Sequence, residues 1–279
     1  MTSDPLNITN VDFSENLIRI SHNVHLRVLT WRPKNPKGQP ILFVAGWVSA
    51  VSGWLDLLSV LVTEHVVYYL ETKEKSSAEL INPQTQDFYI PKQAQELIQA
   101  ASILKLTPDD FIIMGSSLGA SIILEALKNQ QLKPQCAFLI GPTCYFNFPW
   151  WTPLLLKLPA VTYKLIKHLA LWYLRTFRVD AKAEPEQMQR YEQTLKFAHP
   201  QRIKMSAKAF AGFSVWQDLK TITAKVVISY ALSDSLHDVS TIKRLIDTLP
   251  QSVAVPCSSN KHMHSAALKA EINKYVTEL

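Results

Sequence analysis

The chain has 279 residues, 47% hydrophobic and 19% charged, enough for one sizeable domain or for one domain carrying an insertion. That balance excludes a disordered or collagen-like chain, and no run reaches the roughly 18 uninterrupted apolar residues of a membrane-crossing helix. The net charge of +6 is local: from Ala126 to Val179 there are Lys128, Lys133, Lys157, Lys164, Lys167, Arg175 and Arg178 with no Asp or Glu.

In chain order, "NVHLRVLTW" alternates like a half-exposed strand and "PILFVAG" is a continuous buried one. "GWLDLLSVLV" reads as a helix, "HVVYYLE" as a strand, and "PKQAQELIQAASILKL" as a helix with Pro91 in its first turn. A strand over 111–114, a helix from about Leu118 to Asn129 and the strand "CAFLIGP" follow. After an interruption come the strand "KVVISYALSD", the helix "DVSTIKRLIDTL", the strand "SVAVP" and the closing helix "SAALKAEINKYVTEL". Such alternation predicts an α/β fold, a mostly parallel sheet with helices on both faces. The interruption, 145–215, is too long and too apolar for a linker and reads as an inserted helical cap between core segments 1–144 and 216–279.

Gly115-Ser116-Ser117-Leu118-Gly119 spells G-x-S-x-G where a strand ends and a helix begins. A tight turn there forces Ser117 into a strained backbone conformation and holds its Oγ clear of the sheet. Glycine is needed two positions to either side because a side chain would strike neighbouring elements. The Leu118 N–H, opening the helix, points toward a developing oxyanion. An ordinary glycine-rich phosphate-binding turn is the alternative, but neither G-x-G-x-x-G nor G-x-x-x-x-G-K-[ST] is present.

These residues resemble the nucleophile elbow of the α/β-hydrolase superfamily, and the resemblance covers the chain from near residue 17 to the last helix. It implies a triad in the order Ser…Asp…His. Asp234 sits in a turn resembling the family's G-x-x-D, with Ala231 in place of the glycine. Asp238 reads instead as a helix N-cap. The spacing from His262 to Ile272-Asn273 is similar to the family's interval after its catalytic histidine, and His264 is the competitor. His237, in the Asp234 loop, would line the pocket. His22, His25, His65 and His199 read as surface or satisfied core residues. The second oxyanion donor would be the backbone N–H of Trp47, after Ala45-Gly46 where relatives have His-Gly. "ETKEKSSAEL" departs from the family's Asp-x-Arg-Gly-x-Gly-x-Ser loop, with Glu71 and Lys73 standing where the Asp and Arg would be.

In "PAVTYKLIKHLALWYLRTFR", Val161, Leu165, Leu169, Trp172 and Leu174 or Phe177 gather on one helical face, and Lys164, Lys167, His168, Arg175 and Arg178 on the other. The expectation is an apolar face over the active site and a basic face toward solvent. The alternative is a helix lying in a membrane interface. The resemblance implies a hydrolase of carboxylic esters or thioesters with an apolar acyl chain. A serine-dependent acyltransferase and a non-catalytic binding protein of the same fold are the competing readings. The basic cap suits an anionic acyl carrier, coenzyme A or an acidic lipid surface. Nucleic acid is disfavoured, since no helix-turn-helix, RNP-like or zinc-finger pattern accompanies the charge. Cys136, Cys144 and Cys257 form no C-x-x-C pair, and no metal or cofactor is expected. The polar "MTSDPLNITN" lacks a leader pattern, which reads as a cytoplasmic protein, peripheral at a membrane if the cap helix binds one.

Overall fold

The computed structural model describes residues 4–146, 148–159, 162–177, 185–234 and 238–277. Strands β1 (Val11–Ser21) and β2 (Val24–Pro33) form a long hairpin, followed by β3 (Ile41–Val44), α1 (Leu55–Leu61) and β4 (Val67–Leu70). Next come β5 (Glu79–Leu80), α2 (Ile90–Ile103), β6 (Ile112–Ser116), α3 (Leu118–Lys128) and β7 (Cys136–Ile140). Among the described residues four helices then intervene: α4 (Thr152–Leu155), α5 (Tyr163–Phe177), α6 (Pro185–Phe197) and α7 (Pro200–Phe210). The chain closes with β8 (Lys225–Ala231), α8 (Val239–Thr248), β9 (Ser252–Cys257), α9 (Asn260–Met263) and α10 (Leu268–Thr277).

The strands join one nine-stranded sheet in the order β1-β2-β4-β3-β6-β7-β8-β9, with β5 beside β2. From β4 to β9 every neighbour is parallel; β1, β2 and β5 add antiparallel pairs at one edge. Parallel strands covered on both faces must be apolar throughout, which is why β3, β6 and β7 are buried at every position. One face packs on α2, α3 and α8 through Leu97, Ile122 and Leu245. The other packs on α1 and α10 through Leu57, Leu61, Leu268 and Ile272. This is the α/β architecture with a mostly parallel sheet.

Between β7 and β8 the described chain contributes nothing to the main sheet. Tyr145 and Ser214 form an isolated antiparallel bridge, and Val215 N–H donates to Cys144 C=O at 2.9 Å. The segment therefore leaves and rejoins the sheet at one point.

Candidate active site

The order of the strands defines where a site can form. After β3 the chain moves outward to β4, then crosses back to β6 on the opposite side of β3. At such a reversal the loops leaving the two central strands diverge and open a crevice at their carboxyl ends. Trp47 follows β3 and Ser117 follows β6, so both flank that crevice. Thr143, Asp234 and His262 follow β7, β8 and β9 at the same edge.

Ser117 has φ 47° and ψ −110°, the left-handed region that a side chain enters only under strain. Both flanking glycines are sterically required. A Cβ on Gly115 would overlap Ile123 and come within 2.9 Å of the Gly119 carbonyl carbon. One on Gly119 would overlap the Val44 carbonyl oxygen. Ser117 N–H donates to Ile140 C=O at 3.1 Å, fixing the turn to β7. Its Oγ lies 3.0 Å from Thr143 Oγ1, and the Thr143 carbonyl accepts from Ser121 Oγ at 2.5 Å. Thr143 thus borders Ser117, a residue that no sequence motif marks. Leu118 is the first residue of α3, where a helix leaves its N–H without an intrahelical acceptor.

The loop after β3 lies against this turn. A Cβ on Gly46 would come within 3.1 Å of Ser116 Oγ and 3.5 Å of Ser117 Cβ, so the following amide, of Trp47, belongs to the rim of the crevice. Val48 has φ 54°, a costly conformation for a β-branched residue. Its N–H donates to Glu74 Oε1 at 3.2 Å, while Lys75 Nζ donates to the Gly46 carbonyl at 3.1 Å. Glu74 Oε1 also accepts from Thr72 Oγ1 at 2.6 Å and lies 3.3 Å from Lys75 Nζ. The "ETKEKSS" loop is therefore a buried polar brace for the strand-β3 loop. Glu71 and Lys73 do not face each other as an Asp/Arg pair: Glu71 takes Arg27 at 3.3 Å and Ser77, and Lys73 takes Glu96 at 2.7 Å. Burial raises the Glu96 carboxyl despite the adjacent ammonium.

The Trp47 indole reaches the inserted helices, donating to Ser206 Oγ at 3.0 Å and meeting Phe148 and Phe210 edge-on. Arg202 of α7 donates to the carbonyls of Lys75 and Ala78. The insertion thus rests on both loops that shape the rim.

Asp234 is buried, and its N–H closes a turn on Ala231 C=O at 3.2 Å. Its Oδ2 accepts from Asn260 Nδ2 at 3.2 Å, and Asn260 Oδ1 in turn accepts from Arg190 of α6. Burial, and then the Asp234 charge, raise the nearby Tyr191 hydroxyl. His262 is half-buried in the short helix α9 rather than in an open loop, with Nδ1 3.2 Å from Ser258 Oγ. His264 ends that helix; its Nδ1 lies 2.9 Å from Asn260 C=O and its ring stacks on Trp54 at 4.2 Å. Asp238 is exposed and caps α8, accepting from the Ser240 and Thr241 hydroxyls and amides; the hydroxyl bonds above all, and then the amides, lower its carboxyl to about 2. His237 lies outside the described residues. His65 is a satisfied buried histidine, its Nδ1 2.8 Å from Gln39 C=O. The cysteines are buried, and burial pushes their thiols up to about 11, 12 and 11 for Cys136, Cys144 and Cys257. None is poised to act as a thiolate nucleophile.

No family model matches the chain, and no curated protein matches it in sequence. Solved structures do match in fold. A hydrolase from Oleispira antarctica superposes with a TM-score of 0.72 at 14% identity, over 90% of this chain and 94% of that one. A thermophilic esterase from Thermogutta terrifontis gives 0.71 at 13%, over 96% and 98%. The 2-hydroxy-6-oxo-6-phenylhexa-2,4-dienoate hydrolase of a Rhodococcus species gives 0.72 at 13%, over 96% and 100%.

Proposed function

The chain has the α/β-hydrolase fold over nearly its whole length, and on that premise we propose that it is a serine hydrolase of carboxylic esters or thioesters. The observation that carries this reading is the backbone of Ser117, strained at φ 47° between two glycines that cannot carry a side chain. A fold keeps about 1–3 kcal/mol of local strain where a function needs it. The resemblance to solved structures named as an esterase and as hydrolases supports the same class.

In this reading Ser117 Oγ adds to the acyl carbonyl and its proton passes to His262, which Asp234 orients. The carbonyl oxygen, now negative, accepts from the Trp47 and Leu118 amides. Collapse expels the alcohol or thiol, which takes the proton from His262. Water, deprotonated by the same imidazole, then releases the carboxylic acid and restores Ser117. The aromatic group around Trp47, Phe146, Phe148 and Phe210 beside the crevice favours an apolar acyl chain.

A fluorophosphonate probe tests the reading. Labelling is expected for the wild type and for Ser116→Ala, and none for Ser117→Ala. Undiminished labelling of Ser117→Ala rejects the assignment. A folded wild type that binds apolar ligands but never labels makes this a binding protein instead.

A further inference from the structure

Outside the site, uncovered apolar side chains concentrate in one segment. A cavity of about 480 Å³ between β1, β2 and the end of α2 is lined by Ser14, Thr30, Arg32, Tyr68 and Ile103, a set with no reactive pair. The inserted segment is different. Twelve large hydrophobic residues are exposed among the described ones, and six fall between Trp150 and Phe177. Trp150 is 89% exposed, Leu154 65%, Phe177 60% and Trp172 55%, with Leu158 and Leu169 less so.

This departs from the expectation that the apolar face of α5 covers the active site. Val161 and the side chains of Lys164 and Leu165 lie outside the described residues, as does Arg178. On the described part of α5, Leu169 and Trp172 stand three apart and share one exposed face with His168 and Arg175. Arg175 meets Glu192 of α6 at 2.8 Å, an exposed pair. The α4 segment joins this surface through the edge-on contact of Trp151 with Tyr173, 5.6 Å between ring centres. Lys157, between Leu154 and Leu158, is exposed as well.

We propose that the exposed apolar side chains of the insertion, Trp150 and Trp172 foremost, dock on an anionic lipid bilayer. Two features select that occupant. Indole rings exposed beside leucines suit the interface between headgroups and acyl chains, where one end of the ring is apolar and the other wet. The segment from Ala126 to Val179 holds no acidic residue; Arg175 is paired with Glu192 of α6, and the exposed Lys157 adds attraction to a negative surface. The proposal stands apart from the chemistry at Ser117.

Co-sedimentation of the full chain with vesicles tests it, using phosphatidylcholine alone against equal parts of phosphatidylcholine and phosphatidylglycerol. Binding to the mixed vesicles is expected, with a blue shift of indole fluorescence and weakening by salt. The pair Trp150→Ser and Trp172→Ser lowers that affinity about tenfold or more. Lys157→Gln lowers it about fivefold, the effect of one charge removed. Ser117→Ala binds as the wild type does, which separates this result from the catalytic reading. Circular dichroism verifies each fold, and Leu154→Ser with Phe177→Ser replaces the tryptophan pair if that pair unfolds. No binding to mixed vesicles, or binding unchanged by the apolar substitutions, overturns the proposal. So does a tryptophan-dependent complex with an acidic carrier protein or a second copy of the chain when vesicles are ignored.

Discussion

At Asp234 the described geometry pairs a buried carboxylate with a neutral amide, Asn260 Nδ2, while His262 Nδ1 sits beside Ser258 Oγ. The proposed reaction requires the imidazole to reach Asp234 and Ser117 in the substrate complex, and catalytic hydrogen bonds are often long or misdirected before the complex forms. Asp234→Asn is expected to lower kcat by about 10⁴, the loss seen when an orienting carboxylate goes while geometry survives. His262→Ala should lose activity on a similar scale. His264→Ala and Asp238→Asn should keep most of it, because those side chains stack on Trp54 and cap α8. Steady-state kinetics with urea midpoints decide the matter, and a larger loss in His264→Ala or Asp238→Asn reassigns the residues. Ser117 could be picked out in the sequence because its turn admits only glycine at two neighbours. Thr143 could not, because its place beside Ser117 Oγ depends on β6 and β7 being adjacent.

The loop after β4 is where an element does two separable jobs. Toward α2, Lys73 and Glu96 form a buried ion pair at 2.7 Å. Toward the crevice, Glu74 and Lys75 hold the strand-β3 loop by its Val48 amide and Gly46 carbonyl. Breaking either buried group strands a partner, at a cost of about 3–5 kcal/mol. The two should differ in kinetics. Lys73→Met is expected to lower stability in urea and leave kcat near the wild-type value, with Glu96→Leu added restoring much of the stability. Glu74→Ala should lower stability and also reduce kcat about tenfold or more at little change in KM, because a displaced oxyanion donor acts on the transition state. Equal kinetic losses in both variants would falsify the division of labour. The sequence shows this loop only as a charged run, which ordinarily means a solvated face. Its burial follows from Arg202 of α7 and Arg27 of β2 closing over it, partners 127 and 44 residues away.

Across the whole molecule, we propose that the segment from Ala126 to Val179, which carries no acidic residue, steers anionic substrates over a screening length of about 8–10 Å. For an anionic acyl thioester kcat/KM is expected to fall as salt rises, while a neutral short-chain ester changes little. Lys157→Gln with Lys167→Gln should flatten the anionic profile alone, and parallel wild-type profiles would remove the charge from any account of substrate capture. The fold class was legible because continuous apolar runs and helix periods alternate locally, and each run declares by its own length and branching that both of its faces are covered. The elbow was legible for the same reason, since strand, glycines and helix start are contiguous in the chain. What contiguity cannot carry was decided by tertiary structure. The parallel strands bring the ends of β3, β6, β7, β8 and β9 to one edge, the "ETKEKSS" charges pass inside because distant arginines cover them, and Leu169, Trp172 and Phe177 of α5 stay exposed among the described residues. Local sequence sets what each segment is able to bury; only the assembled chain determines which of those surfaces finds a partner.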